Sequence, residues 1–250
     1  MRKSVRRVLR GSRVSRAVLA VCVASVLGPV AACSGASETG DASGAGAGAD
    51  GRRTEQPRAA VTRTLSAAEL EKAVVAPADL DGYAVEAVPL DDPPRETVPA
   101  EPEVCQPVAD LLTFDTDPRA DARVVRSLSH AEALDATVTS VALLAHDRAG
   151  AVKIMDGLRE ATGACTAYEQ ASGEYDGVKA LAGPGLGEES VAYRMEGLIG
   201  GESVPVTFTV VRYGSTIAVF HAMNLAQPER TGIPEEIIGA QLAKLEETAG

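Results

Sequence analysis

The N-terminal stretch of the chain decides where a fold can begin. Arg2, Lys3, Arg6, Arg7, Arg10, Arg13 and Arg16 place seven positive charges ahead of an uncharged run over residues 17–32, with no acidic residue in either part. The run is 16 residues long, short of the roughly 20 that span a bilayer. Gly28 and Pro29 interrupt it as a helix, and small residues follow. A basic flank, a short apolar core and a small-residue end are the parts of a secretory signal peptide, here residues 1–32. The folded part of the chain is therefore expected downstream.

Val30-Ala31-Ala32-Cys33 resembles the lipobox of bacterial lipoproteins: a branched residue, two small ones, then cysteine. The resemblance implies thioether attachment of diacylglycerol to Cys33 and cleavage between Ala32 and Cys33. It also implies a lipid-anchored protein on the extracytoplasmic face of the cell membrane. Two acyl chains give a stable anchor where one gives a marginal one, at about 0.8 kcal/mol per buried methylene. Arg6-Arg7 partly fits a twin-arginine signal, and the export route stays open.

Processing sharpens the charge. The whole chain carries 24 basic and 35 acidic residues. Loss of the seven N-terminal cations leaves 17 against 35. Such an acidic chain is a poor partner for nucleic acid or for an anionic lipid surface, so the membrane contact falls to the lipid. Of four cysteines, Cys22 leaves with the signal peptide and Cys33 is alkylated. Cys105 and Cys165 remain as an even pair in an oxidising compartment, which reads as a disulfide. Two buried free thiols are the other reading. The enclosed loop would constrain the unfolded chain by roughly 4 kcal/mol.

Residues 33–64 read as a lipidated flexible tether. They are rich in Gly and Ala with almost no large apolar side chain, so they cannot bury enough surface to offset ordering. About 30 such residues span roughly 30 Å on average. Residues 65–250 form the expected globular domain. Ser66-Ala67-Ala68-Glu69 is a capping box with Leu65 and Leu70 as its hydrophobic staple. A strand is expected at 82–88, then a Pro-rich loop over 89–107 that holds Cys105. Strands follow at 123–128 and 136–145. Ala151, Ile154, Met155, Leu158 and Ala161 give one face of a helix over 148–162, and Cys165 continues the register.

After a turn at 183–187, strands are expected at 190–196, 204–213 and 216–223. Gly214-Ser215 fits a two-residue type II′ hairpin. Pro234 opens a last helix, with Glu235 and Glu236 at its positive end. Without regular βαβ alternation the class is α+β: one domain, an antiparallel sheet with helices packed on one face, and one disulfide. Trp is absent and aromatics are 3%, so an aliphatic core is expected.

No Gly-x-Ser-x-Gly, His-Glu-x-x-His or Walker loop occurs. His130, His146 and His221 are scattered, and His221 reads as a hydrogen-bonded structural histidine. Gly183 to Gly187 reads as a plain turn, because a strand rather than a helix follows it. Asp115, Asp117 and Asp121 lack the glycine and the distal glutamate of a Ca²⁺ loop and read as solvated, as do Asp91-Asp92 and Glu188-Glu189. The expectation is a chain with no catalytic residue, no metal and no cofactor.

Further pieces resemble a family of small uncharacterised actinobacterial lipoproteins. They are Leu80-Asp81-Gly82-Tyr83-Ala84-Val85, Cys105, the helix ending at Cys165, Gly185-Leu186-Gly187-Glu188-Glu189-Ser190, and Val210-Val211-Arg212-Tyr213-Gly214-Ser215-Thr216. The layout from about Leu65 to Leu245 is similar to the extracellular sensor domain of PknH-type mycobacterial receptor kinases. Those sensors have more cysteines and a second disulfide, and the sequence reads as having neither a transmembrane helix nor a kinase domain, so signalling does not carry over. The resemblance implies a sensor-like domain that binds a small ligand or a protein partner. A carrier of lipid or another hydrophobic ligand is the alternative, and a cell-wall enzyme is a third reading.

Overall fold

The computed structural model describes residues 63–90, 97–131, 136–171, 173–199 and 201–249. The expected signal peptide, Cys33, nearly all of the tether and Asp91-Asp92 lie outside the described residues. Helix α1 (Ala67–Ala73) starts as its sequence signals require. Ser66 donates to Glu69 Oε2 from both N and Oγ, at 2.9 and 2.7 Å. Leu65 and Leu70 are both buried.

Nine strands form one antiparallel sheet. They are β1 (Tyr83–Ala87), β2 (Ala100–Glu101), β3 (Ala122–His130), β4 (Thr137–Ala145), β5 (Tyr168–Gln170), β6 (Gly173–Leu181), β7 (Glu189–Ile199), β8 (Glu202–Tyr213) and β9 (Thr216–Asn224). Their spatial order is β1-β3-β4-β9-β8-β7-β6-β5-β2. The run from β5 to β9 is a meander of sequential hairpins. β4 closes it by pairing with β9, from Thr137↔Asn224 to Ala145↔Thr216. Gly214 turns the β8–β9 hairpin at φ 63°, where glycine carries no steric cost. Helix α2 (Gln106–Asp110) precedes β3. Helix α3 (Arg148–Ala164) connects β4 to β5, and α4 (Glu235–Ala249) ends the chain.

The α+β class, the single antiparallel sheet and the disulfide are as expected. The helices, however, cover both faces rather than one. Val141, Leu143 and Ala145 of β4 and Ala218 and Phe220 of β9 meet α1 and α4 in one core. Ala142, Leu144, Ile217 and Val219 point the other way, into a second core with α2 and α3. The cause is visible in β4 and β9 themselves. Their central residues are apolar at every position, and alternation sends them to both faces, so each face needs a cover.

α1 and α4 are joined by a buried polar contact. Gln241 accepts from Val75 N at 3.0 Å and donates to Ala73 O at 2.7 Å, which satisfies the end of α1. On the sequence alone this glutamine is one more residue on the helix face spaced by Ile237, Ile238, Leu242 and Leu245.

Candidate functional site

The Pro-rich segment expected as a loop over 89–107 holds β2, a 3₁₀ turn at Glu103–Cys105 and the start of α2, which runs on to Asp110 and a second 3₁₀ turn at Leu111–Thr113. Pro107 sits in the first turn of α2, where its missing N–H is harmless. Cys105, Val108, Ala109 and Leu111 face the core. Cys105 is bonded to Cys165, just past the end of α3, with Cα atoms 5.1 Å apart.

Gln106 organises the other side. Its Oε1 accepts from Ala100 N at 2.7 Å. Its Nε2 donates to Val98 O at 3.0 Å and to Asp110 Oδ1 at 2.7 Å. Asp110 is only 7% exposed. Burial, opposed by the Gln106 hydrogen bond and reinforced by Asp115 and Asp117 nearby, pushes its carboxyl above the usual range. The charge of Arg119 also works against this rise.

α3 supplies the facing wall. Asp147 caps its start by accepting from Gly150 N at 2.6 Å. Ala151, Met155, Leu158 and Ala161 bury one stripe in the core. Val152, Lys153, Asp156, Gly157 and Glu160 line a groove against α2, and its volume is about 1040 Å³. Gly157 is the point of close approach: a Cβ there would sit 3.8 Å from Pro107 Cγ. The disulfide ties the α2 wall to the chain just beyond α3. The sequence reading missed this site because the prolines hid α2. The available signal was Gln106-Pro107, a polar residue and then proline at a helix start.

The sheet keeps the three histidines apart. His130 packs edge-on against Tyr83 at the β1 side. His146 lies just past β4 beside the β8–β9 turn, its N donating to Ser215 O at 3.0 Å. His221 lies mid-sheet opposite Ser140 and Phe208. There it extends a ladder of stacked rings: Tyr193 on Phe208 at 4.7 Å, and Phe208 on His221 at 4.8 Å. His221 is structural in placement, but its expected hydrogen bond is missing, since neither ring nitrogen finds a partner. Stacking holds it instead. Burial pushes its imidazole down to about 4.

The turn at 183–187 leads into a strand, as expected. Gly187 is needed there, since a Cβ would meet Arg212 O at 2.6 Å. Glu188 and Glu189 are held in ion pairs. Arg212, 5% exposed, donates Nε to Glu189 at 2.8 Å and Nη1 to Glu188 at 2.6 Å. Arg148 and Arg159 of α3 reach the same two carboxylates. The network ties the hairpin tip to α3. Asp115 pairs with Arg119 and Asp117 with Lys153. Among the described residues no cluster of His, Cys, Asp or Glu could hold a metal ion, and no helix is long and apolar enough to cross a membrane.

No protein-family model matches the sequence, and no curated protein matches it. Among solved structures, the extracellular domain of PknH from Mycobacterium tuberculosis is similar at a TM-score of 0.49 and 10% identity. That match covers 75% of this chain and 98% of that one. An uncharacterised protein from Mycobacterium smegmatis is similar at a TM-score of 0.36 and 12% identity, over 72% of this chain and 94% of the other.

Proposed function

We propose that this chain is a lipoprotein held on the extracytoplasmic face of the cell membrane by diacylglycerol on Cys33. Its domain binds a ligand in the α2–α3 groove without chemical turnover, as a sensor or accessory module. The groove carries this reading. Its volume of about 1040 Å³ suits a small organic molecule. Both walls are held in place before any ligand arrives, one by the disulfide and Gln106, the other by the capped α3. A wall already ordered lowers the entropic cost of binding. The carrier reading calls for an apolar cavity between sheet and helices. That space is filled by Tyr193, Phe208, Met155 and Leu158, all buried, which favours the groove.

The experiment is native mass spectrometry of the full chain purified from its own membrane. A ligand mass beyond that of the lipid is expected, and it should disappear in Gly157→Trp, whose side chain would fill the groove beside Pro107. Retention of the same ligand by the blocked variant contradicts the reading, as does turnover of peptidoglycan or an ester by the purified chain. The anchor rests on the residues before Cys33. Cys33→Ser should abolish incorporation of labelled fatty acid, because thioether formation needs the thiol; equal labelling of both proteins would refute the anchor.

A further inference from the structure

His221 is a base buried where nothing meets its proton. It is 9% exposed, and neither ring nitrogen has a hydrogen-bond partner among the described residues. On the sheet, Ser140 of β4 and Phe208 of β8 face it, and neither carries a charge. Tyr193 of β7 lies one ring further, its phenol pushed well above the ordinary range by burial and by Tyr168. The nearby carboxylates are turned elsewhere: Asp115 to Arg119 at 3.7 Å, Asp110 to Gln106 at 2.7 Å. Burial alone acts on the imidazole, and it holds the ring neutral down to about 4.

Phe114 reaches this ring from outside the sheet. It follows the 3₁₀ turn Leu111–Thr113 and lies 6.1 Å from His221 between ring centres. Its φ is 54°, a left-handed conformation that a bulky side chain rarely adopts and that lasts only where packing enforces it. The packing is with the core on this face of the sheet. The chain is fixed on either side. Upstream the disulfide holds Cys105. Downstream Asp121 N donates to Ala145 O at 2.8 Å, where β3 begins. Phe114 therefore sits on a short flap with two fixed ends.

We propose that Phe114 is an acid-released latch: a proton taken up from solvent by His221 lifts the Phe114 ring off the sheet, and the flap from Leu111 to Thr116 swings out with it. An imidazolium cannot stay where the neutral ring lies, because a buried charge without a partner is far costlier than a buried neutral group. Phe208 and Tyr193 are fully buried on paired strands, and moving either would break the ladder. Phe114 gives up a strained backbone conformation when it moves, so it yields first. The imidazolium gains water while the sheet keeps its pairing.

The test is brief pepsin digestion of the full chain, reading cleavage between residues 111 and 116 by mass spectrometry. Each rate is divided by that of a free peptide of the same sequence at the same pH, which removes the protease's own pH dependence. From about pH 5.5 to about pH 4 the corrected rate should rise roughly tenfold in the parent, with β8 and β9 still uncut. It should stay flat in His221→Phe, which keeps the ring and cannot take a proton, and should rise as in the parent in His146→Phe. The imidazole itself gives a second measurement that does not depend on that variant folding. In Phe114→Gly, where glycine accepts the left-handed φ and the cover is gone, His221 should titrate by proton NMR nearer its ordinary 6.5 than in the parent. A flat rate in the parent, or an equal rise in His221→Phe, would overturn the latch. So would cuts in β8 and β9 rising in parallel, or a His221 titration unchanged in Phe114→Gly.

Discussion

His221 shows how one residue sets a property of the whole domain. Its imidazole lies flat against Phe208, 4.8 Å away, under Phe114 at 6.1 Å, with both nitrogens unpartnered. Burial holds it neutral down to about 4, against an ordinary 6.5. His146 is also pushed down to about 4 by burial, opposed by Asp121 and Asp147. Below pH 6.5 the unfolded chain therefore binds protons that the folded chain refuses. Stability is full above that pH and falls as pH drops toward 4, by on the order of 3 kcal/mol for each fully buried imidazole. Glu189 is lowered from its ordinary 4.5: burial works upward, but its bonds from Arg159 and Arg212 outweigh it. Its contribution is lost only at lower pH, so the histidines dominate the fall between 6.5 and 4.5. His221→Phe keeps the ring ladder and removes one titrating group. Denaturant melts at several pH values should give a variant about as stable as the parent near neutrality, with roughly half the parent's loss across that window. An unchanged slope would show that His221 is not held neutral by the fold.

At the scale of elements, the disulfide governs the α2 wall. α2 has five residues, too few to be stable alone, and its segment is joined to the domain by the bond at Cys105, by the pairing of β2 with β5 and by the packing of Val108, Ala109 and Leu111. Reduction is expected to lower stability by roughly 2–5 kcal/mol and to open the chain around residues 97–110 to protease before the sheet yields. Limited proteolysis with and without reductant checks this. A first cut in α4 or in the β8–β9 hairpin would contradict it.

The same element marks where the sequence stopped being legible. The long strands could be read because apolar and β-branched residues alternate through β8, Pro205 notwithstanding, and run through β9, and Gly214 marks their turn. α1 was legible because Ser66 and Glu69 act on each other three residues apart. β6 was not, since Val178 is the one fully buried residue of that strand and a solvated strand leaves no hydrophobic period. The groove was hidden for a related reason. Asp110 looks like any loop acid until folding buries it, and Glu188-Glu189 looks solvated until Arg212 arrives from a strand 23 residues away.

For the whole molecule, two cores back to back on one sheet leave the groove outside both. A ligand can therefore be exchanged without opening either hydrophobic layer. Hydrogen exchange tests that arrangement most directly. The protein taken from its own membrane is compared with the same protein stripped of small molecules by extraction in mild denaturant and returned to buffer. The account predicts slower exchange in the untreated sample over the 97–111 and 149–160 segments, with α1, α4 and the sheet unchanged. Protection that appears instead at α1 and α4, or no difference between the two samples, would contradict it.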